Sequence, residues 1–231
     1  MHDQTRTHRH LQPTEHRSRE KKKLSRHSRR ELAETYTDWR DQHRATLEKG
    51  GQPSLHVQTA SERARAELEL ETGDVSIVEV AVGARPFGPR FGSLVHVVLA
   101  SIPLDGDGEQ IRASAQLHGR ILGALAEEIQ AAVTTVVAAL QHPLMERARK
   151  AAACGACHRE VPLTLREEDG TLIEGLADLA FRENGKWIVV DFKTDQELAA
   201  ALERYRRQVA IYATAISKAT SSSSEAFLFR L

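Results

Sequence analysis

The sequence is 231 residues long, enough for one domain of ordinary size with an appendage. Its 32 Lys and Arg residues balance 32 Asp and Glu residues, and 41% of the chain is hydrophobic, which suffices for a packed core. No apolar segment has the length of an export signal or a membrane span, so we expect a cytoplasmic protein without membrane contact.

The first thirty residues carry an excess of positive charge. They contain ten Lys or Arg residues against Asp3, Glu15 and Glu20, with almost no apolar residues. Such a segment cannot bury enough surface to fold alone, so residues 1–30 are expected to be a disordered basic arm, helical only when docked. The arm either contacts DNA phosphates, serves as a solubilising tail or is the start of a truncated reading frame.

Residues 31–83 are expected to form a helical linker region. Spaced apolar residues indicate a helix over residues 28–47, which the Gly-Gly-Gln-Pro-Ser run at residues 50–54 ends, and residues 75–82 are typical of a short strand. No G-x-x-x-x-G-K-[ST] motif occurs in the sequence. The chain therefore lacks a P-loop and is not expected to be a helicase by itself.

Three helices are predicted next. Residues 92–100 carry His96, and a lone histidine at such a place is more often packed or solvated than catalytic. Residues 113–141 form a long helix, and residues 144–153 form a shorter one. The apolar residues of the long helix have the i, i+4 spacing of a buried stripe, namely Leu117, Ile121, Leu125, Ile129 and Val133.

Cys154, Cys157 and His158 form the C-x-x-C-H pattern of covalent haem attachment. That chemistry requires an exported chain, and no export signal is visible. Two cysteines also fall short of the four thiolates of a usual iron–sulfur cluster, and a zinc site would need further ligands. We expect reduced thiols at a helix-to-strand junction, with a redox or haem protein as the alternative of another class.

Residues 159–165 alternate between apolar and polar side chains, which predicts a strand with Glu160 on its polar face. A two-residue loop after this strand would align Val161 with Asp178. We therefore expect a longer loop around residues 167–170, which brings Glu160 to the side of Asp178. Glu174 shares the Asp178 face and is a less favoured ligand.

The stretch from Glu174 to Thr194 predicts a β-hairpin. Two alternating apolar runs flank Asn184-Gly185, a pair that tolerates the positive φ angles of a two-residue type I′ turn. This turn fixes the register and sets Asp178 directly opposite Asp191. Like charges so placed repel by about 1 to 3 kcal/mol, so a compensating group is expected.

Lys193 lies two residues beyond Asp191 and therefore on the face of both carboxylates, while the other face is apolar and expected to pack on a core. A divalent cation between the carboxylates would turn their repulsion into coordination, and such oxygen ligands suit Mg²⁺ or Mn²⁺. The plain alternative is an exposed strand end in which Asp178 pairs with Arg182 or Lys193. An isolated D-x-K triplet favours that alternative.

Apolar residues at threes and fours predict a helix over residues 196–218. Gln208 and Tyr212 are four residues apart, so they project from one face of this helix, with Tyr205 beside them. Without further motifs, the simpler interpretation is that the tyrosines are core residues and that Gln208 is an exposed or capping polar residue. Residues 226–231 predict a closing strand.

Together these pieces resemble the nuclease domain of the RecB/AddA group in the PD-(D/E)XK superfamily. The resemblance rests on Glu160 in REVPL, Asp178 in EGLADL, Asp191 and Lys193 in VVDFKT, and Gln208 and Tyr212 in YRRQVAIY. GSLVH, ending at His96, is similar to the helical histidine motif that these domains carry before the sheet. The match covers residues 87–231, and residues 30–61 are similar to the linker that joins helicase and nuclease in AddA-type enzymes.

The resemblance implies an α/β fold of the restriction-endonuclease-like kind over residues 84–231, a central mixed sheet flanked by helices, with a helical N-terminal extension. It implies metal-dependent, exonuclease-type hydrolysis of DNA in double-strand-break repair and recombination. The residues that it implies for Mg²⁺ or Mn²⁺ are Asp178, Asp191, Glu160 and His96. Lys193 would orient the attacking water or stabilise charge on the phosphorus. Gln208 and Tyr212 would complete the catalytic set by flanking the site and orienting Lys193 or the nucleic-acid backbone.

The resemblance also implies a partner, either a helicase subunit or the helicase portion of a longer protein of which this chain is the C-terminal piece. The alternative is an inactive or partner-dependent DNA-binding module of the same fold, which would bind DNA with a steep salt dependence and need no Mg²⁺. His96 would either ligate the metal as a neutral imidazole or contact a phosphate when protonated.

Overall fold

The computed structural model describes residues 26–66, 75–80, 83–194 and 198–231. The chain divides into two compact units, Met1–Ser54 and Leu55–Leu231. Most of the predicted basic arm, residues 1–25, lies outside the described residues.

The described part of the first unit is dominated by helix α1 (Arg26–Gly50). This helix includes residues 26–30, which the sequence analysis assigned to the disordered arm. Two i, i+4 contacts support this part of the helix: His27 lies 3.0 Å from Glu31, and Arg30 lies 3.0 Å from Glu34.

The second unit is built around a six-stranded mixed sheet. Its strands are β1 (Val57–Thr59), β2 (Val75–Glu79), β3 (Cys157–Arg166), β4 (Leu172–Glu183), β5 (Lys186–Lys193) and β6 (Ser224–Arg230). Its described helices are α2 (Ala60–Ala66), α3 (Pro89–Ser101), α4 (Gly108–Leu122), α5 (Ala126–Gln141), α6 (Pro143–Ala153) and α7 (Leu198–Thr220). The predicted α/β class, with a mixed sheet between helices, is confirmed, and the segment called a linker supplies β1, α2 and β2.

Strand β4 organises the sheet. β3 pairs antiparallel with it along one edge. On its other edge, β1 pairs parallel with residues 172–174 and β5 pairs antiparallel with residues 179–183. Within the described part of the chain, residues 175–178 therefore have no strand partner on that edge. β5 continues the sheet through parallel pairing with β6, and β6 pairs in turn with β2.

The β4–β5 hairpin has the register that its turn predicts, with Leu179 opposite Val190. Asn184 and Gly185 have φ angles of 50° and 81°, as a type I′ turn requires. The loop between β3 and β4 comprises residues 167–171 and is the longer loop that the sequence predicts.

The sheet separates two hydrophobic cores. One core lies under helices α3 to α6 and receives the predicted apolar face of the hairpin, namely Leu179, Phe181, Ile188, Val190 and Phe192. The other lies under α2 and α7 and receives the alternate residues, among them Ala180 and Val189. Both faces of the hairpin are thus covered, and a polar group on either face must find a partner inside the protein.

The single helix predicted over residues 113–141 is wrong, because α4 and α5 are separate helices. Gly123 ends α4 in the left-handed conformation, with φ 65°. The predicted buried stripe fails on α4 and at the start of α5: Leu117, Ile121 and Leu125 are exposed.

Helix α4 buries a different stripe, made of Ile111, Ala115 and Gly119. A Cβ at Gly119 would collide with Ile129 on α5, so the absence of a side chain lets the two helices approach closely. The face of α4 that carries small residues is therefore the buried one, although the neighbouring face is more hydrophobic. A prediction from hydrophobicity alone selects the exposed face.

No described helix is long and apolar enough to span a bilayer. Cys154 caps the end of α6 and Cys157 begins β3, both as free thiols, which confirms the predicted junction. Burial raises the pKa of the Cys157 thiol, which favours its protonated form.

Gly175 on β4 lies against the ring of Tyr212 on α7. A Cβ at Gly175 would lie 3.1 Å from Tyr212 Cδ1, still closer to Cε1, and 3.3 Å from Ala60 Cβ. Tyr212 is only 4% exposed, so its ring cannot swing into solvent. The glycine therefore sets how closely α7 approaches the sheet.

Gly175→Ala is expected to lower the free energy of unfolding by about 1–3 kcal/mol, because overpacking forces side chains and backbone to shift. Gly108→Ala is the matched control, since a Cβ there meets nothing within 4 Å, and it should be nearly neutral. Urea unfolding followed by circular dichroism measures both. Equal unfolding curves for the two variants would contradict the prediction, because they would mean that Tyr212 can move to accommodate the added Cβ without loss of stability.

Candidate active site

Helix α3 brings His96 to the sheet. Pro89 opens the helix, and its apolar face is buried through Phe91, Leu94, Val95 and Val98. His96 projects from the border of this face, and its ring meets the edge of Phe192 with centroids 6.2 Å apart. The imidazole is thereby held beside the end of β5.

Asp178 occupies the gap on β4 between its pairings with β1 and β5. Its Oδ2 accepts a hydrogen bond from the backbone N–H of Phe192 at 2.6 Å, and its Oδ1 lies 3.2 Å from His96 Nδ1. This side chain joins β4, β5 and α3 at one point. The alternative of an exposed strand end predicts that Asp178 pairs with Arg182 or Lys193. In the structure its side-chain contact is His96.

The contact with Asp178 changes the titration of His96. Burial disfavours the charged imidazolium, but the hydrogen bond and the negative charge of Asp178 outweigh burial. The pKa of His96 is therefore raised above its ordinary value.

Asp191 and Lys193 form an ion pair at the end of β5. Lys193 Nζ lies 2.6 Å from Asp191 Oδ2, and the side chains of Lys193 and Asp191 are 15% and 3% exposed, respectively. Burial raises the pKa of Asp191 to about 6, against the opposing charge of Lys193. For Lys193, burial opposes the charged form, but the carboxylate of Asp191 more than offsets it, so the pKa of Lys193 is raised.

Glu160 lies across from Asp178 on β3. The ladder pairs on both sides of it leave the two residues opposite each other, so Glu160 is on the side that the sequence predicts. Burial and the negative charge of Asp178 raise the pKa of Glu160. Glu160 and Asp178 therefore face each other at the level of the gap in the sheet.

The alternation of side chains along β4 breaks at Asp178. Phe181 packs in the core under α3 to α6, whereas Ala177, four residues earlier, packs in the core under α7. β3 changes face at the same level, at Glu160, whose φ of 49° is left-handed. The two carboxylates thus lie at the boundary between the cores and are buried in neither, an arrangement that strand irregularities near active sites often provide.

Helix α7 closes the site from the second core. Gln208 Nε2 donates to Tyr212 OH at 2.6 Å, and both residues are buried. The structure thus brings these two predicted residues together, but the aromatic ring that meets Lys193 is that of Tyr205, whose centroid lies 5.0 Å from Lys193 Nζ. Sequence reasoning assigns Tyr205 no role, although its position one turn before Gln208 is a signal for it.

An open cleft of about 430 Å³ leads to these residues and is lined by α2, α3, the end of β5 and α7. His96, Lys193 and Gln208 line it, together with Arg65 and Arg204. Sequence reasoning missed both arginines, because they belong to no motif and only folding brings their two helices together.

The donor set suits a hard divalent cation, because it combines three carboxylates with an imidazole. In the part of the chain that the structure describes, no three His, Cys, Asp or Glu side chains stand close enough to hold a metal as they are. In this arrangement Lys193 pairs with Asp191, and His96, itself a candidate donor, contacts Asp178. Apart from the ion pair with Lys193, the buried Asp191 Oδ2 has no hydrogen-bond partner among the described residues. The chemical types of these side chains suit a cation, but Lys193 would have to leave Asp191 before a metal could bind there.

Comparison with known proteins identifies relatives of this region. The model of the PD-(D/E)XK nuclease superfamily matches residues 78–231. Proteins named as subunits of ATP-dependent helicase/nucleases are similar to the chain: 27% identical over 159 residues in Alkaliphilus oremlandii, 24% over 156 residues in Alkaliphilus metalliredigens and 31% over 120 residues in Heliobacterium modesticaldum. These alignments cover 60%, 60% and 46% of this chain but only 13%, 13% and 8% of the relatives.

The Asp191–Lys193 pair predicts strong coupling between its members. Lys193→Ala is expected to lower the free energy of unfolding by about 3 kcal/mol in EDTA at neutral pH, because it leaves a buried carboxylate without its partner. Asp191→Asn should have a smaller effect, since Lys193 can turn to the cleft. Adding it to Lys193→Ala should recover most of the loss.

Urea unfolding of the wild type, the two single variants and the double variant measures this coupling. Simple addition of the two losses in the double variant would contradict the prediction, because it would mean that neither charge depends on the other.

Proposed function

Because the chain belongs to the PD-(D/E)XK nuclease superfamily, we propose that it is a metal-dependent deoxyribonuclease that hydrolyses phosphodiester bonds. The observation that carries this proposal is the position of Asp178. It contacts His96 on α3 and the backbone of Phe192 on β5, next to the Asp191–Lys193 pair. One carboxylate thereby gathers acidic and basic groups from several elements beside a single cleft.

Asp178, Asp191 and Glu160 would hold the metal, with His96 either as a further ligand or as a donor to a phosphate. A bound Mg²⁺ or Mn²⁺ supplies a Lewis acid that polarises the scissile phosphate and lowers the pKa of the attacking water. Lys193 carries the ammonium that orients this water or stabilises the charge developing on the phosphate.

Helix α7 provides a second contact for Lys193, beside its ion pair with Asp191. The ring of Tyr205 attracts the ammonium, so Lys193 can leave Asp191 without losing every favourable contact. The buried hydrogen bond between Gln208 and Tyr212 fixes the wall of the cleft on which Tyr205 stands. These three residues act on Lys193 and are positioning residues in the proposal.

The relatives suggest the substrate and the setting. They are named as parts of ATP-dependent helicase/nucleases, and this chain spans at most 13% of their length. In the proposal, this chain is the nuclease part of such an assembly and acts on DNA in exonuclease-type processing during double-strand-break repair and recombination. Its partner is a helicase subunit or the helicase portion of a longer chain, in the cytoplasm.

One observation favours a second function. The described residues hold no preassembled set of three metal donors, and Lys193 occupies the carboxylate that a metal would need. A DNA-binding module of the same fold, inactive alone or completed by a partner, would keep this arrangement. It would bind DNA with a steep salt dependence and without Mg²⁺.

Linear DNA, single- and double-stranded, is expected to be degraded by the purified chain with Mg²⁺ and to stay intact with EDTA. Asp191→Asn should reduce the rate at least about a hundredfold, because it removes a proposed ligand of the metal that would stabilise the charge developing on the phosphate. Asp105→Asn, on an exposed loop outside the cleft, is the matched control and should leave the rate unchanged. DNA binding without cleavage by the wild type would support the binding module.

The metal site also predicts a readout that needs no DNA. Mg²⁺ or Mn²⁺ at about a hundredfold over its Kd should stabilise the wild type by about 2.7 kcal/mol, because the metal binds the folded state. Asp178→Asn should lose this stabilisation, and Asp105→Asn should keep it. Thermal unfolding with and without metal measures the shift within each protein, and an equal shift in all three would place the metal elsewhere.

A further inference from the structure

We propose that Arg65 on α2 and Arg204 on α7 form a phosphate-binding pair that holds the DNA backbone beside the reacting phosphate. This inference rests on the proposed function and names the residues that would bind its substrate. Both arginines line the cleft that also contains His96 and Lys193. A phosphodiester bound by them would therefore lie next to the candidate catalytic groups.

A buried hydrogen bond fixes the two helices that carry the arginines. Arg207 Nε donates to the carbonyl oxygen of Ala64 at 2.8 Å, and Arg207 is only 8% exposed. Arg65 follows Ala64 directly, and Arg204 lies one helical turn before Arg207. The spacing between the two guanidinium-bearing positions is thus set by the fold.

Two described carboxylates close to the arginines in sequence, Glu62 and Glu203, have other partners. Glu62 accepts hydrogen bonds from the backbone N–H and the hydroxyl of Thr59, at 2.8 and 2.9 Å. Glu203 pairs with Arg206 at 3.2 Å. Within the part of the chain that the structure describes, no ion pair joins Arg65 or Arg204 to a carboxylate.

The rest of the cleft favours an anion. Its described lining contains no Asp or Glu, whereas Ser61 and Ser93 supply hydroxyl groups and Lys193 an ammonium. The first turn of α3 also lines the cleft, and its N-terminal end carries a partial positive charge. A guanidinium offers a planar fork of donors that matches two phosphate oxygens, which a lysine does not.

Arg204 also connects phosphate binding with Lys193. Its guanidinium lies 4.8 Å from the centroid of Tyr205, the ring that Lys193 approaches at 5.0 Å. A phosphate drawn to Arg204 therefore arrives beside the ammonium that the proposed mechanism uses. The two arginines touch no reacting atom in this scheme and are positioning residues.

The test is binding of a short fluorescein-labelled single-stranded DNA in EDTA, followed by fluorescence anisotropy over a range of salt concentrations. Arg65→Gln and Arg204→Gln should each weaken binding about tenfold, the effect of a charged hydrogen bond. Each should also make the slope of log K against log salt shallower by about 0.7, the loss of one phosphate contact on a single strand.

Arg112→Gln is the matched control, because Arg112 is an exposed arginine on α4 outside the cleft, and its removal lowers the net charge equally. Affinity and slope should stay at the wild-type values. Arg65→Lys and Arg204→Lys should retain the slope, since the charge remains, and unfolding curves should show that all variants fold.

The proposal is overturned if the glutamine variants at positions 65 and 204 match Arg112→Gln in affinity and slope, or if the wild type binds no DNA. Because cleavage plays no part in the measurement, the outcome is separate from that of the nuclease assay. Weaker binding by both variants, together with a wild type that does not cleave DNA, would support the arginine pair and leave only the binding module.

Discussion

The backbone N–H of Phe192 imposes the constraint on which the candidate site depends. Phe192 is buried at the end of β5, where the pairing with β4 has already stopped at Leu179 and Val190. A buried donor without a partner costs about 1–3 kcal/mol, so an acceptor is required at this point. Asp178 provides it with one carboxylate oxygen and turns the other toward His96. The gap in the sheet thus leaves the Phe192 N–H without a strand partner, and Asp178 satisfies it. The other groups of the site lie around the Asp178 carboxylate.

The electrostatics of the site follow from burial on both faces of the hairpin. A carboxylate such as Asp191, covered by protein, is unfavourable unless a positive charge meets it, and Lys193 supplies that charge from two residues away. His96 contacts Asp178 from another element, at 3.2 Å between Nδ1 and Oδ1. Asp191 and Asp178 therefore each have a partner within the protein. The same pairing means that a cation must compete with an ammonium already in contact with Asp191.

The sequence predicts the site best where the determinants are local. The Asn184-Gly185 turn fixes the register of the hairpin, and the D-x-K spacing places Lys193 beside Asp191. It fails where the determinant is tertiary. Gly119 decides which face of α4 is buried through its contact with Ile129 on another helix, and the change of face at Glu160 depends on two cores meeting there. Arg65 and Arg204 carry no motif at all, because a packed pair of helices alone makes them neighbours.

Helix α7 joins the stability of the fold to the chemistry of the cleft. Its buried side reaches the sheet through Tyr212, whose ring lies against Gly175, and the hydrogen bond from Gln208 holds that tyrosine. Its other side presents Tyr205 and Arg204 to the cleft. Since Lys193 and Arg204 both approach the ring of Tyr205, a phosphate bound at Arg204 would attract the Lys193 ammonium away from Asp191. In the proposed function, arrival of the substrate would then help to free the carboxylate that the metal needs, so binding and assembly of the metal site would support each other.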